Sequence, residues 1–417
     1  MSLFHSISAD GRFVAFLSYA SNLVEGDTNN SSDIFVVSTT PAIQSLTTIV
    51  HNVAPSVTVS NLASAGLVAS LSFRVGDASL ADEIAGFDFN IDWGDGSTEF
   101  IAATAVNGAG LTLSHVYTVT GKYNVAVAAT DKDGGVGTAN SDLIVSVDPT
   151  SIAEDLPKAI AAAIERGDFQ ALLNVADSTS LNAIIDSINT LESPSAVVAV
   201  TLDLGGLDFA GQVLSPPAGV VIVLKNGTLI GASPALTITS GTVQLQNMLL
   251  INATDTPTLR VVGGNVSIRS STIEETPNGS ESAIRILGGS VDLGTGDNPG
   301  LNTLRVRGAG QLISNLGVNP VTAIGNSFQL DDQPLDSGFA IEDLIQHRLD
   351  GAGGLITFVE NSLYVTPRIG DTSIAIDSAN DGDTIYVQGK NYPDIRLGTR
   401  LLTIAFANGP IYQQFAL

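Results

Sequence analysis

The sequence contains no cysteine, so disulfide bonds, thiol catalysis and zinc sites built on cysteine are excluded. It is also poor in cations, because 17 Lys and Arg residues stand against 42 Asp and Glu residues and the net charge is −25. A surface with that charge repels phosphate backbones, which makes nucleic acid a poor partner. The same surface attracts divalent cations, and calcium is the cofactor that this composition favours.

Long apolar runs and a secretion signal are missing as well. No apolar run approaches the ~20 residues that span a bilayer, so we expect no membrane span. Residues 1–5 lack the basic and apolar regions of a signal peptide. A strand-rich unit that begins near Ile369 also stops at Leu417 without closing. We therefore expect a piece of a longer protein, in which the missing signal says little about export.

Alternation of apolar and polar residues with a period of two is the commonest pattern in the chain. It occurs at residues 71–75, 87–93, 123–127 and 143–147, and such alternation is typical of strands with one buried face. Turn-forming residues separate these segments. The sequence therefore predicts an all-β protein with a short helical part.

Residues 1–40 read as short strands with turns between them. The run 8–16 (SADGRFVAF), followed by Asn22-Leu23 and by residues 26–29 (GDTN), resembles one blade of a TolB-type propeller. A single blade cannot bury its own faces, so we interpret this segment as a stub. A polar, proline-marked linker over residues 39–53 separates it from the next domain.

Residues 54–148 hold about seven short strands, as a β-sandwich requires. They also contain a DWGDGS turn at 92–97, SHVY at 114–117, GKYNV at 121–125 and a closing Asp131. Together these motifs resemble the PKD (polycystic kidney disease) domain. That resemblance implies an immunoglobulin-like β-sandwich which acts as an extracellular spacer or adhesive module without chemistry.

The motif residues also make structural predictions on their own. Phe89 and Trp93 fall on the same side of one strand, so both should face inward. Tyr117 and Tyr123 can each bury a ring while the hydroxyl stays in water. His115 belongs to the same motif, and we interpret it as structural.

Residues 151–192 are the one long helical stretch. Ser151 and Glu154 have the spacing of a capping box, and two short helices would meet around Gly167-Asp168. The segment precedes a repetitive region whose first coil would otherwise leave an unpaired edge. We therefore expect residues 151–192 to form a cap on that region.

The repetitive region covers residues 197–335. Copies of an apolar–X–apolar triplet followed by glycine start at 236, 259, 284 and 304, and a shorter copy starts at Val221. Steps of 20–25 residues are typical of one solenoid coil. The pattern resembles the pectate-lyase-like right-handed parallel β-helix of large bacterial surface proteins.

Two further segments follow the repeats. Residues 336–368 predict a helix over 340–349 and a hairpin from 355–359 and 363–366. Residues 369–417 resemble the entry of another β-helix, with a short helix before the GDTI sequence at 382–385. The unit is incomplete as it stands.

Loop carboxylates are the candidate calcium ligands. They lie around the GDGS turn and in the DKDGG turn at 131–135: Asp92, Asp95, Asp131 and Asp133. Their spacing does not match an EF-hand. Turn chemistry explains the same residue types, so a bound ion and plain hairpin turns both stay open at this point.

The repeats supply a second set of candidates. Three arginines take the second position of successive copies and would form an outward ladder, and three acids lie in loops where they could approach one another. The set is Arg260, Arg285, Arg305, Glu274, Glu275 and Asp297. Such a ladder could contact a glycan, whereas a solvated acidic rim is the plainer interpretation. His347 is expected to pack in the core or cap a helix.

We therefore expect a non-catalytic, structural or adhesive module of a larger bacterial surface protein. It would be extracellular and monomeric, with polysaccharide or other surface proteins as partners. The alternative is a polysaccharide lyase or glycoside hydrolase that uses the β-helix groove, since such enzymes need clustered carboxylates. A truncated gene product without an independent role is a third possibility.

Overall fold

The computed structural model describes residues 2–39, 51–231, 234–276, 279–348, 354–367, 372–389 and 401–407. The chain forms two compact units, residues 1–52 and residues 53–417. Within the described residues, no helix is long and apolar enough to cross a membrane.

The first unit is a small antiparallel sheet of β1 (Ser2–Ile7), β2 (Phe13–Ser18) and β3 (Asp33–Ser38). Phe16 stacks on Phe35 with 5.6 Å between the ring centroids. Phe4 and Ile34 nevertheless stay exposed. Three strands alone do not cover both faces, as expected for a single blade-like segment.

The second unit begins with a β-sandwich. Its seven strands pair only in antiparallel ladders. One sheet has the order β4-β5-β8 and the other β10-β9-β6-β7. The strands are β4 (Ser56–Ala65), β5 (Val68–Gly76), β6 (Asp88–Asp92), β7 (Thr98–Ile101), β8 (Leu111–Val116), β9 (Gly121–Thr130) and β10 (Val136–Val145). A short helix α1 (Leu80–Ala85) and one 3-10 turn (Asn107–Ala109) connect them. This is the immunoglobulin-like sandwich that the sequence predicted.

Aromatic side chains fill the sandwich core. Phe89 and Trp93 are both 1% exposed, which confirms that they face inward. The prediction for Tyr117 is wrong in one respect, because its hydroxyl does not reach water. It is buried and donates a hydrogen bond to the carbonyl of Trp93 at 2.8 Å. The hydroxyl of Tyr123 lies at the surface and donates to the carbonyl of Val119.

The helical segment contains α2 (Ile152–Arg166), β11 (Gln170–Asn174) and α3 (Ser178–Thr190). Gly167 ends α2 with a φ of 73°, a conformation that glycine adopts without strain. The predicted capping box does not form. Ser151 donates to Asp155 at 2.6 Å, because Asp155 also accepts the backbone N–H of Leu67 in the sandwich. A tertiary contact has replaced the local one.

A parallel β-solenoid follows, with strands on three faces. The first face contains β12 (Val198–Asp203), the first halves of β15 (Val220–Gly231) and β17 (Thr242–Asn252), β19 (Asn265–Arg269), β22 (Ser290–Asp292), β25 (Val321–Thr322) and β29 (Ile356–Thr357). The second contains β13 (Asp208–Ala210), the second halves of β15 and β17, β20 (Thr272–Glu274), β23 (Thr303–Val306) and β26 (Ser327–Leu330).

The third face is a separate six-stranded sheet. It contains β14 (Gln212–Leu214), β16 (Leu236–Ile238), β18 (Leu259–Val261), β21 (Ser282–Ile286), β24 (Gln311–Asn315) and β28 (Ile345–Gln346). A two-residue strand, β27 (Gln333–Pro334), folds back antiparallel on β26. Inward side chains of α2 and α3, such as Leu156 and Ile184, join the solenoid core. The helices thus form the predicted cap.

The register corrects the repeat alignment. Leu236, Leu259 and Ile284 pair in sequence, as predicted. Ile284 then pairs with Ile313, whereas Leu304 pairs with Ile273 on another face. The copy at 304 was therefore misaligned, and so was the one at Val221, which pairs with Thr242. Each face carries the same apolar–X–apolar triplet, so the sequence pattern does not distinguish one face from the next.

Residues with positive φ mark the corner between the first and second faces. Asn226, Asn247, Ser270 and Leu301 have φ values of 58°, 52°, 53° and 52°. The side chain of Asn247 donates to that of Asn226 at 3.0 Å, and Asn226 donates to Asp203. Asparagine tolerates this conformation better than most residues, so the stacked amides fix the bend from coil to coil.

The last described elements are α4 (Gly338–Glu342), β30 (Ser362–Val365), α5 (Thr372–Ser378), β31 (Thr384–Gln388) and β32 (Thr403–Ala407). The helix predicted over 340–349 is shorter, and residue 349 lies outside the described residues. The predicted hairpin is wrong apart from one bridge between Val359 and Ser362. Its halves join different parallel sheets, since Ile356 pairs with Val321 and Leu363 with Ile385. Residues 369–371, 390–400 and 408–417 of the predicted further unit also lie outside the described part.

Candidate functional site

The DWGDGS turn uses its carboxylates internally. Asp92 accepts the N–H of Gly94 at 2.8 Å, and Asp95 accepts the N–H of Ser97 at 3.0 Å and a bond from His115 at 2.9 Å. Burial opposes ionisation of Asp95, but the bonds from His115 and Ser97 prevail and hold its pKa well below the usual value. Both acids therefore stabilise the turn.

Ser97, His115 and Asp95 do not form a catalytic relay. Nε2 of His115 faces both Asp95 and Ser97, at 2.9 and 3.3 Å, whereas a relay needs the acid and the nucleophile on different ring nitrogens. The imidazole also stacks on Trp93 with 4.7 Å between centroids. This geometry agrees with the structural role expected for His115.

The other two predicted ligands lie at the opposite end of the sandwich. Asp92 pairs with Ala126, whereas Asp131 follows Thr130, which pairs with Asp88 at the far end of the same strand. Asp133 is exposed and bound to Lys132. The four acids Asp92, Asp95, Asp131 and Asp133 thus do not meet at one point, and Asp131 alone enters a carboxylate cluster.

That cluster consists of Asp77, Asp82 and Asp131, and we call it the sandwich acidic cluster. One carboxylate oxygen from each residue lies within 4.8 Å of the others. Asp77 and Asp82 lie in the connection between β5 and β6, which contains α1, and Asp131 lies in the connection between β9 and β10, so two connections converge. Asp82 and Asp131 are only 1% and 5% exposed, although buried carboxylates normally need compensating charge.

The surroundings of the cluster fit a hard cation. Oδ2 of Asp77 is buried and has no hydrogen-bond partner among the described residues. The ammonium of Lys132 lies 2.9 Å from Asp82, and its hydrogen bond lowers the pKa of that carboxyl. Asp131 also accepts the N–H groups of Asp133 and Gly135, both at 2.8 Å. Calcium prefers carboxylate and carbonyl oxygens, so these three residues would supply part of its shell. Sequence reasoning missed Asp77 and Asp82 because no spacing signal connects them to Asp131.

The predicted arginine ladder is only partly formed. Arg260 and Arg285 are in register on the third face. Arg305 lies on the second face, where it pairs with Glu274 of the preceding coil at 2.8 Å. The prediction is therefore wrong for Arg305, because the fourth repeat was assigned to the wrong face.

The three predicted acids of the solenoid also separate. Glu274 points outward, where Arg305 and Arg307 bind it at 2.8 and 3.1 Å. Glu275 comes directly after β20 and is fully buried. Asp297 is exposed in the loop that precedes the second face, at a different corner. The prediction that these acids approach one another is wrong.

His347 is a core residue, as expected. Its Nε2 lies 2.7 Å from a carboxylate oxygen of Glu342, and its Nδ1 accepts the N–H of Ile356 at 3.0 Å. Both ring nitrogens are thus occupied by the protein itself. The pair joins α4 to the following coil and leaves no nitrogen for a substrate.

A further feature that the sequence did not reveal is the junction between sandwich and solenoid. The N–H of Leu172 in β11 donates to the carbonyl of Thr118, and the N–H of Thr120 donates to the carbonyl of Leu172, at 2.9 and 3.0 Å. Arg166 donates to Thr118 at 2.6 Å and Asn174 to Thr120 at 2.8 Å. Residues 118–120 of the sandwich therefore cover the outer edge of β11, which in turn pairs with β12 of the solenoid.

No protein-family model matches the chain, and no curated protein matches it. Solved structures of three PKD domains are similar to part of it. The PKD1 domain of Vibrio anguillarum Epp is 24% identical, covers 24% of this chain and 100% of its own length, and has a TM-score of 0.19. The PKD1 domain of the Vibrio cholerae metalloprotease PrtV is 23% identical over 22% of this chain and 98% of its own, with a TM-score of 0.18. The PKD domain of an M14-like peptidase from Thermoplasmatales archaeon SCGC AB-540-F20 is 24% identical over 22% and 92%, with a TM-score of 0.19.

Proposed function

We propose that this chain is a stiff, non-catalytic module of an extracellular or cell-surface protein, which holds an immunoglobulin-like sandwich in a fixed position at the end of a β-solenoid. The observation that supports this proposal most strongly is a single hydrophobic core. It runs from Leu67 in the sandwich through the helical cap to Phe358 in the solenoid. Domains joined as flexible beads have separate cores and small polar interfaces, so a shared core supports rigid display.

The charged side chains of the solenoid support a structural role rather than a catalytic one. Glu274 is bound by two arginines, Arg269 binds Asp292 at 2.6 Å, and Arg285 binds Glu281. Glycosidases need two carboxylates about 5–10 Å apart that are free to act on substrate. Paired carboxylates do not meet that need.

The third face offers the surface that we propose for glycan contact. Arg260, Arg285 and Gln346 lie in one row of successive coils, in which Ser314 is buried and donates a hydrogen bond to Gln346 at 2.6 Å. Arg260 is exposed and has no ion pair among the described residues. Arginine binds carboxylates in a bidentate manner, so an acidic polysaccharide is the ligand class that this row suits.

The sandwich acidic cluster is proposed to bind Ca²⁺. Asp77, Asp82 and Asp131 come from two connections, β5–β6 and β9–β10, at one end of the sandwich. A cation there would stabilise the folded state by mass action. Replacement of Asp82 by Asn should remove most of the rise in melting temperature that Ca²⁺ produces, and a wild-type response in that variant would argue against the site.

The rigid coupling is testable because the chain has one tryptophan, and Trp93 is buried in the sandwich. Tryptophan fluorescence therefore follows the unfolding of the sandwich, whereas the circular dichroism signal comes mainly from the solenoid strands. In urea the two transitions should coincide for the wild type. Arg166→Ala, which breaks the contact with Thr118, should separate them, and exposed Arg74→Ala is the matched control. Two separate transitions in the wild type would contradict the proposal.

The non-catalytic part of the proposal has its own test. The full chain is incubated with uronans and neutral polysaccharides, with and without Ca²⁺, and unsaturated products or reducing ends are measured. We expect binding of acidic polysaccharide without turnover, and weaker binding by Arg260→Ala. Turnover that purifies with the protein would establish the enzymatic alternative.

A further inference from the structure

The corner between the second and third faces contains a buried carboxylate that no ion pair compensates. Glu275 is 0% exposed. Its Oε2 accepts a hydrogen bond from the hydroxyl of Thr258 at 2.8 Å. Its Oε1 is buried and has no hydrogen-bond partner among the described residues. A buried polar atom in this state costs folding free energy unless something binds it.

The neighbouring coils have no buried, unpartnered carboxylate at the equivalent position. The register places Asn252 and Val306 at the positions above and below Glu275. Asn252 satisfies its amide within its own loop by donating to Thr256, and Val306 is apolar. Glu275 is therefore the only acidic residue among these three stacked positions, and packing alone does not explain a glutamate there.

A second carboxylate lies beside it. Asp255 accepts the N–H groups of Ser280 and Glu281 at 2.7 and 3.0 Å, and the hydroxyl of Ser280 at 3.1 Å. These bonds hold the carboxylate in place. In the described residues no lysine or arginine forms an ion pair with Asp255 or Glu275.

Gly279 packs closely against both acids. A Cβ atom at this position would lie 3.0 Å from Oδ1 of Asp255, 3.1 Å from Oε1 of Glu275 and 3.0 Å from the methyl carbon of Thr276. The separation of the two oxygens is therefore no larger than the sum of the first two distances. Two carboxylate oxygens that lie this close, one of them without a partner, are the donors that a hard cation prefers.

We propose that Asp255 and Glu275 bind a divalent cation of the Ca²⁺ type, at a site separate from the sandwich acidic cluster. The ion would connect the loops that follow β17 and β20 on adjacent coils and stabilise that corner of the solenoid. Burial raises the pKa of Glu275 to about 7, and the charge of Asp255 adds to the effect.

The test is isothermal titration of the chelator-treated full chain with CaCl₂ at about pH 8, in an Asp82→Asn background that removes the sandwich site. One site should remain. Adding Glu275→Gln should weaken it by about tenfold or more. Gly279→Ala should weaken it as well, because the added methyl group would press against both carboxylate oxygens. Asp297→Asn, an exposed acid of the next coil, is the matched control and should leave binding unchanged.

A second readout is the melting temperature with and without CaCl₂, followed by circular dichroism. CaCl₂ should raise the melting temperature of the Asp82→Asn protein, and adding Glu275→Gln should remove most of that rise. Unchanged Trp93 fluorescence and circular dichroism would show that the variants are folded. The proposal is wrong if the Asp82→Asn protein binds no Ca²⁺, or if adding Glu275→Gln leaves its affinity for Ca²⁺ unchanged.

Discussion

The sandwich and the solenoid fill their parts of the shared hydrophobic core by different means. In the sandwich, large rings such as Trp93, Tyr117 and Phe89 fill the space between two sheets. In the solenoid, aliphatic residues stack in columns, for example Leu224 on Leu245 on Ile268. The aromatic rings of the sandwich pack in a single arrangement in which each ring contacts different neighbours. Each aliphatic column of the solenoid repeats the same contact from coil to coil. The stability of the sandwich therefore depends on a few residues, and that of the solenoid on many equivalent ones.

The largest expected effect is on the sandwich. Phe89→Ala should lower the free energy of unfolding by about 3–5 kcal/mol, because it leaves a cavity among closely packed rings. Urea denaturation followed by Trp93 fluorescence measures the change. Phe100→Ala on β7, where the ring is 68% exposed, is the control and should cost well under half as much. A similar cost for the two variants would contradict the comparison.

The next effect concerns the solenoid and depends on pH. The pKa of Glu275 in the fold is about 7, above the ordinary 4.5, so the native state favours the protonated acid. Without metal, the free energy of unfolding should therefore fall as pH rises from about 4.5 past about 7. The total loss would be on the order of 3 kcal/mol.

Glu275→Gln should remove that loss, making the variant more stable than the wild type at about pH 8 in chelator, with little difference below about pH 4.5. Urea midpoints at the two pH values measure it. Glu274→Gln, on the outward side of the same strand, is the control. It should show only the small effect of a surface ion pair, at most about 1 kcal/mol. A wild type whose stability does not decline with pH would contradict the burial of an unpaired acid.

The smallest effect tests the repetition in the solenoid. Asn247 holds a φ of 52° at the corner and donates to Asn226. Asn247→Ala should cost about 1–2 kcal/mol through conformational strain and one lost hydrogen bond. Asn247→Gly should cost less, since glycine adopts this conformation freely. Denaturation followed by circular dichroism distinguishes the two variants, and equal costs would mean that the conformation does not matter at this corner.

Much of the sandwich was predictable because its signals are local. Residues 92–97 contain Gly94 and Gly96, which adopt φ values of 79° and 91° in the turn, and alternation in β6 placed Phe89 and Trp93 inside. The buried hydroxyl of Tyr117 was not predictable, because its partner is a carbonyl on another strand. The sandwich acidic cluster was missed for the same reason, since Asp82 and Asp131 meet only after two strands have paired.

In the solenoid the sequence predicted coils but not their register. Leu259 and Ile284 were aligned correctly, and Leu304 was not. The loop of residues 293–302 lengthens one coil, and the triplet at 304 then resembles that of a different face. Arg305 was consequently placed beside Arg285, although it binds Glu274 instead.

Strands, turns, helices and the presence of a repeat follow from local features of the sequence, because alternation, glycine positions and apolar stripes act over a few residues. Long-range pairing in the fold sets which carboxylates meet, which face carries Arg305, that Glu275 is buried, and that residues 118–120 join the sandwich to the solenoid. Those outcomes depend on pairing between distant segments. A shift in that pairing moves a charged side chain to another face while leaving the local pattern of residues unchanged.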